Sequence, residues 1–191
     1  GDGRTTTGQV VTDALDIVGH EFTHSVISAF ADFVIERESG AINESLCDFI
    51  GMTVAGHAST QIGAAAGWAV RDLATPGLFG QPDLYGDFQD LPLEDDNGGV
   101  HINSGILNGA LYRAAGSLSG SLQEGAIRVS RLLLNGLRDV AWSPQSLLED
   151  FAVGTLIYCN QSAQAARSVD SPVCEALATA FEDAELTSPS R

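Results

Sequence analysis

Between Ala14 and Glu36, apolar side chains recur at Leu15, Ile17, Val18, Phe22, Val26, Ile27, Phe30, Phe33 and Val34. That pattern wraps more than one face of a helix and predicts a largely buried element. Set inside it are His20, Glu21 and His24. Polar groups in a buried helix must be paired or bound to a metal, so the rest of the chain has to fold in a way that brings partners to them. Residues four apart on a helix lie about 40° from each other around its axis. His20 and His24 therefore present their imidazoles on one face, one turn apart, where both can hold one ion. Glu21 falls on the adjoining face, able to act on water beside such an ion without ligating it, which is the geometry of metal-assisted hydrolysis. The five residues His20-Glu21-Phe22-Thr23-His24 alone also occur in helices that bind nothing.

The flanking sequence adds weight. A polar, threonine-rich lead-in covers residues 1–12, and Thr12 or Asp13 is placed to cap the helix. Further on, Gly40 breaks the chain and a second helix is predicted to run to about Ala58. Glu44 and Asp48 are four apart and share a face. Glu44 comes 20 residues after His24, enough for the first helix to finish and for the chain to turn back with a carboxylate. His20, His24 and Glu44 make three protein ligands with one position left open, the arrangement of a catalytic zinc site and not of a structural one. Asp48, one turn beyond, is placed to accept the free ring N–H of a ligand histidine and fix its tautomer.

Residues 59–100 are rich in glycine, proline and aspartate and read as the least regular part. Arg71 lies there, and by itself reads as a surface arginine. A tight polar turn over Asp95–Gly105 presents His101 as the next helix begins, with Asp96 able to orient it. Further helices are expected at about 104–117, 121–137 and 144–163, with Ser143 an N-cap before Pro144. A last one is expected from Pro172 to Leu186. Their apolar stripes read as core, so the fold class is mainly α: a zinc-binding helix pair plus a helical bundle, in one domain over residues 1–191.

The chain has 25 acidic residues against nine arginines and no lysine, a formal charge of −16. That balance argues against nucleic acid and anionic membranes as partners, since both need a cationic surface. No run of about 18 apolar residues is present to span a bilayer. The polar opening, Gly1-Asp2-Gly3-Arg4, reads as a mature or cut end. Cys159 and Cys174 flank 14 residues between two helix-like segments, a span that a disulfide could close with a stabilisation of about 3 kcal/mol. Such a bond implies an oxidising compartment. Cys47 reads as a small buried core residue. Asn43 and Asn160 stand in glycosylation sequons, but a glycan on Asn43 would clash with the adjoining ligand.

Three stretches taken together, His-Glu-Phe-Thr-His at 20–24, Gly-Ala-Ile-Asn-Glu-Ser-Leu-Cys-Asp at 40–48 and Asp-Asn-Gly-Gly-Val-His-Ile-Asn-Ser-Gly at 96–105, resemble the thermolysin family of zinc metalloendopeptidases in order and spacing. The resemblance implies the helical C-terminal lobe of a thermolysin-like enzyme, secreted, acting on peptide or protein substrates. It implies that His20, His24 and Glu44 bind zinc, and that Glu21 polarises the zinc-bound water and relays its proton to the leaving amine. Asp48 would support a zinc histidine, and His101, held by Asp96, would donate to the oxyanion. Arg71 matches the arginine that binds the substrate carbonyl on the leaving-group side. Family members cleave before bulky apolar residues, and Ile17 and Val70 are expected to help line that pocket.

The chain also departs from the family. The tyrosine that assists the oxyanion histidine falls at Ile35. Of the carboxylates of the paired calcium site only Asp16 is matched, with Ala55 where another would stand, so one calcium ion at most is expected. The β-rich N-terminal lobe that walls the cleft is not in this chain and is either a separate chain or lost. Two readings of function are open. One is a zinc-dependent endopeptidase; the other is a zinc-binding structural or partner-binding lobe, inactive without a separate N-terminal lobe.

Overall fold

Every side chain from Ser39 to Thr53 is buried, and the helix that carries them, α2 (Arg37–Val54), is the axis on which the other elements are hung. A helix apolar or small on all sides can exist only inside a layer of neighbours. The computed structural model describes residues 14–56, 59–164 and 171–187. Around α2 stand α1 (Leu15–Phe30), α3 (Asp96–Ser117), α4 (Leu122–Asp139) and α5 (Leu148–Gln164), and α6 (Ser171–Asp183) packs mainly on α3. Between α2 and α3 the chain is irregular. Among the described residues there it makes three short 3-10 turns and two two-residue strands, β1 (Gln61–Ile62) and β2 (Arg71–Asp72). These pair antiparallel, with Gln61 opposite Asp72 and Ile62 opposite Arg71.

The helices α1 and α2 cross at a glycine pair. A Cβ on Gly19 would meet Gly51 Cα at 2.9 Å, and one on Gly51 would meet Asp16 O at 2.4 Å and His20 N at 2.9 Å. Without side chains at the crossing the two backbones touch, and the short side chains of the next two turns can reach across. α1 ends where Asp32 takes a left-handed φ of 49° and its N–H returns to Ile27 O, as a helix C-terminus commonly does.

The core runs from Ile27 and Phe33 through Leu46 and Phe49 of α2 to Ile106, Leu107 and Leu111 of α3, and on to Phe151 of α5 and Phe181 of α6. α4 opens with a capping box between Ser121 and Glu124 and buries Ala126, Val129, Leu132 and Leu133, the stripe expected of it. Cys159 and Cys174 are disulfide-bonded, joining α5 to α6, and Cys47 is a buried free thiol.

Several sequence-based expectations need correction. α1 stops at Phe30, not near Glu36, and is not largely buried: Leu15, Phe22 and Phe30 are more than half exposed, because nothing in the described chain covers that face. Gly40 does not break the chain. It lies inside α2, where its missing side chain admits Val100 of α3; a Cβ there would come within 2.3 Å of Val100 Cγ1. α5 starts at Leu148, not at Pro144, because Pro144 is engaged elsewhere, its carbonyl accepting the Val34 N–H. Ile17 is partly buried and packs against the core. The expected caps Thr12 and Asp13, and His57, lie outside the described residues.

Candidate metal centre

The close crossing of α1 and α2 puts His20 and His24 of one helix against Glu44 and Asp48 of the other. His20 Nε2 and His24 Nε2 face each other at 3.2 Å. Glu44 closes the triangle, with Oε2 at 3.4 Å from His20 Nε2 and Oε1 at 3.6 Å from His24 Nε2. Each histidine is held from behind. Asp48 Oδ1 lies 2.9 Å from His20 Nδ1, and Asn43 Oδ1 lies 2.9 Å from His24 Nδ1. If each Nδ1 carries the proton, both Nε2 lone pairs point into the triangle.

Asp48 is fully buried and is itself tied down. Arg71, delivered by β2, donates from Nε to Oδ2 at 2.6 Å and from Nη2 to Oδ1 at 2.8 Å. Asn108 of α3 donates to Oδ2 at 2.9 Å. Burial opposes ionisation of Asp48, but Arg71 and His20 outweigh it and hold the carboxyl below its usual range. The same contest sets His20. Burial would lower its pKa, and the Asp48 and Glu44 carboxylates more than reverse this and raise it to about 9. Glu44 is held well below the ordinary carboxylate range, since His101 and His20 outweigh its burial.

His101 comes from α3, whose first turn is unusual. Asp96, Asn97, Gly98 and Gly99 all have φ between 52° and 84°, and left-handed residues in succession are costly outside glycine. This turn folds Asp96 back so that its Oδ2 accepts the His101 backbone N–H at 2.8 Å, while Oδ1 makes a short contact with His101 Nδ1. His101 Nε2 then stands 3.2 Å from Glu44 Oε2, and that carboxylate raises its pKa to about 9. Glu21 is on the exposed side of α1. His20, His24, Glu44, Asp48, Arg71, Asp96 and His101 are thus joined by direct contacts into one cluster, whereas Asp16 sits at the Gly19–Gly51 crossing, outside it. There its Oδ2 accepts the Gly63 N–H at 2.7 Å.

Sequence reasoning missed Asn43 and Asn108. Asn43 is visible in the sequence only as a sequon. Asn108 offers the same signal that draws attention to α1, a polar side chain inside the apolar run Ile106-Leu107-Asn108-Gly109-Ala110-Leu111, which must find partners when buried.

Two histidines of an HExxH stretch and an acid on a crossed helix pair, inside a helical lobe, form a candidate metal centre. A family model described as "Thermolysin metallopeptidase, alpha-helical domain" matches residues 31–186. The chain is 37% identical over 152 residues to Protease PrtS of Photorhabdus sp. (strain Az29), covering 68% of this chain and 41% of that protein. It is 40% identical over 122 residues to bacillolysin of Bacillus caldolyticus, covering 59% and 22%. Among solved structures it is similar to the precursor of protealysin, a metalloproteinase from Serratia proteamaculans, with a TM-score of 0.73 and 27% identity over 92% of this chain and 58% of that one. The chain belongs to the thermolysin metallopeptidase family, as its α-helical domain, and spans less than half the length of these two curated relatives.

Membership implies zinc, and the donor set fits it. Bonds of about 2.0–2.1 Å at tetrahedral angles place neighbouring ligand atoms about 3.3–3.4 Å apart, close to the 3.2–3.6 Å edges of the His20–His24–Glu44 triangle. Glu44 Oε2 is buried with His101 Nε2 at 3.2 Å and His20 Nε2 at 3.4 Å but makes no aligned hydrogen bond, a need that a cation would meet better. Cys47 gives a rival set, since donor atoms of His20, His24 and Cys47 lie within 4.8 Å of one another. That set fits less well. Cys47 Sγ touches His24 Nδ1 at 3.2 Å, the nitrogen that faces away from His20 Nε2. Burial and the Glu44, Asp48 and Glu21 charges also push the thiol pKa up, away from the thiolate a metal needs.

Proposed function

We propose that this chain is the catalytic helical lobe of a secreted zinc endopeptidase that hydrolyses peptide bonds before bulky apolar residues. The observation that carries the reading is the triangle of two imidazole nitrogens and a buried carboxylate, with edges of 3.2–3.6 Å that suit zinc, and an exposed glutamate on the same helix. His20 and His24 through Nε2 and Glu44 through its carboxylate are the zinc ligands, and zinc when bound supplies a Lewis acid and an acidified water. Glu21 takes the proton of the attacking water and hands it to the leaving amine. His101 donates from Nε2 to the oxyanion as charge develops, while Asp96 fixes its ring. Arg71 spends Nε and Nη2 on Asp48, which leaves Nη1 for a substrate carbonyl. Ile35, half exposed, brings no donor to the oxyanion. The Cys159–Cys174 bond supports an oxidising, extracellular setting.

Calcium fits poorly. The cleft beside Asp16 is lined by Leu15, Met52, Ala55, Ser59, Gln61 and Ala65. No second carboxylate is among them, whereas calcium takes six to eight oxygen ligands. Asp16 Oδ2 serves as the clasp for the Gly63 turn, and its Oδ1, buried without a hydrogen-bond partner, is one carboxylate oxygen, short of the set calcium takes.

The second reading, a zinc-binding lobe that needs a separate N-terminal chain, is favoured by the outer face of α1. Leu15, Val18, Phe22 and Val26, with Ile50, Val54 and Leu134, line an apolar groove. Phe22 is 69% exposed, and it comes directly after Glu21. Exposed apolar ground beside a reactive residue is what a second lobe would cover.

The test is hydrolysis of a quenched fluorescent peptide, with an apolar residue after the scissile bond, by the parent chain and by Glu21→Gln. Chelator-sensitive cleavage by the parent, lost by several orders of magnitude in Glu21→Gln while its zinc is kept, is the expected result; His24→Ala should lose both. Turnover retained in Glu21→Gln would refute the assigned role. Zinc binding without any cleavage would favour the second reading.

A further inference from the structure

Asp48 has four acceptor positions and all are filled: His20 Nδ1 and Arg71 Nη2 at Oδ1, Arg71 Nε and Asn108 Nδ2 at Oδ2. Three of these belong to residues facing the cluster. The fourth belongs to Asn108, which is fully buried on α3 and touches no zinc ligand in the described contacts. Its orientation is fixed by chemistry. An ionised carboxylate only accepts, so the amide must turn its NH2 to Asp48. Its Oδ1 is then left for a donor, and Ser45 Oγ supplies one at 2.9 Å. A chain of hydrogen bonds runs from Ser45 through Asn108 to Asp48, and there divides toward His20 and Arg71.

We infer that Asn108 is a positioning residue for the metal centre, holding Asp48 in the one orientation that serves both His20 and Arg71. The inference rests on the zinc site proposed above. Arg71 alone would leave the carboxylate free to rock about its bidentate pair. The Asn108 amide, braced by Ser45 from α2, pins the back of Oδ2 and so fixes the direction in which Oδ1 meets the His20 ring. Two helices that contribute no bond to zinc through these residues thereby set the tautomer and aim of a ligand on α1.

The experiment measures zinc affinity by competition with a chromophoric chelator, for the full chain and for Asn108→Leu, which keeps the forked shape and removes the donor. Outer partners that touch a metal ligand are worth about 10–100-fold in affinity; Asn108 acts one hydrogen bond further out, through Asp48, and a loss of about tenfold, the lower end of that range, is expected. The absorption spectrum of the Co(II)-loaded chain should change as well, because the His20 ring is no longer held. Leu177→Ala, on α6 and away from α1, is the control for lost packing; it should lower the melting temperature and leave both readouts unchanged. Ser45→Ala is the milder variant, expected to weaken zinc in the same direction by a smaller factor, and it decides the matter if Asn108→Leu does not fold. Unchanged affinity and Co(II) spectrum in the folded Asn108 variant, with only the melting temperature lowered, would overturn the inference and leave the zinc site standing. A parent chain that binds no zinc would overturn both.

Discussion

Adding one methyl group at Gly51 should cost this protein its metal while leaving it folded. The Cβ of Gly51→Ala would stand 2.4 Å from Asp16 O and 2.9 Å from His20 N, both backbone atoms that no rotamer change can move. To reach ordinary contact the helices must separate by about 1 Å. The His20 Nε2 to Glu44 Oε2 distance is 3.4 Å, near the span that tetrahedral zinc accepts, and a stretch of about 1 Å takes it out of range. The energetic cost to the fold is modest. Overpacking is worth about 1–3 kcal/mol, and alanine in a helix returns up to about 1 kcal/mol over glycine. A net loss of about 0–2 kcal/mol lowers the melting temperature by at most roughly 8 °C for a chain of this size. Zinc affinity should fall at least about a hundredfold, the upper end of what outer partners alone contribute. Chelator competition and thermal melts on the parent, Gly51→Ala and Gly77→Ala read both quantities. Gly77 has open space where its Cβ would be, so its variant should match the parent. Zinc binding by Gly51→Ala within about twofold of the parent would refute the claim that the glycine crossing sets the ligand spacing.

The same contacts predict other outcomes. Arg71→Met leaves the fully buried Asp48 without its main countercharge, and breaking a buried pair costs about 3–5 kcal/mol; thermal unfolding should drop by about 6–20 °C, and an unchanged melting temperature would contradict the pairing. With zinc removed, His20 and His101, raised from 6.5 to about 9, contribute stability that is complete below pH 6.5 and lost as pH rises toward 9. Glu44 and Asp48, both lowered, contribute stability that is complete above their usual range and lost on acidification. The chelated chain should therefore be most stable at mildly acid pH. Zinc must displace the His20 proton, so the stabilisation it gives should grow with pH; melts with and without chelator at about pH 5 and 8 check this, and a gap that narrows with pH would count against it. Reducing the Cys159–Cys174 bond, 15 residues apart in sequence, should cost about 3 kcal/mol, seen as a lower denaturant midpoint.

The cluster is more legible in the sequence than the fold around it. Residues at helical spacing share a face wherever the helix goes, so His20 pairs with His24 and Glu44 with Asp48 before any packing is known, and the glycine crossing then brings the two pairs together. Element ends are not so readable, because they depend on contacts distant in sequence. Gly40 looks like a breaker until Val100 is seen to occupy its missing side chain, and Pro144 looks like a helix start until its carbonyl is found on the Val34 N–H. The exposure of α1 escapes a sequence reading for a different reason. Its apolar residues call for cover on two sides, and the described chain supplies one. Arg71 can be suspected only by resemblance, since what marks it out is its bidentate grip on Asp48, a partner 23 residues earlier.

The most direct test of the centre is zinc-edge X-ray absorption on the full chain loaded with one equivalent of zinc. The account predicts nitrogen and oxygen ligands only, at about 2.0–2.2 Å, with imidazole scattering from two histidines. A sulfur shell at about 2.3 Å would place Cys47 in the coordination sphere and displace Glu44 from it, contradicting the site described here.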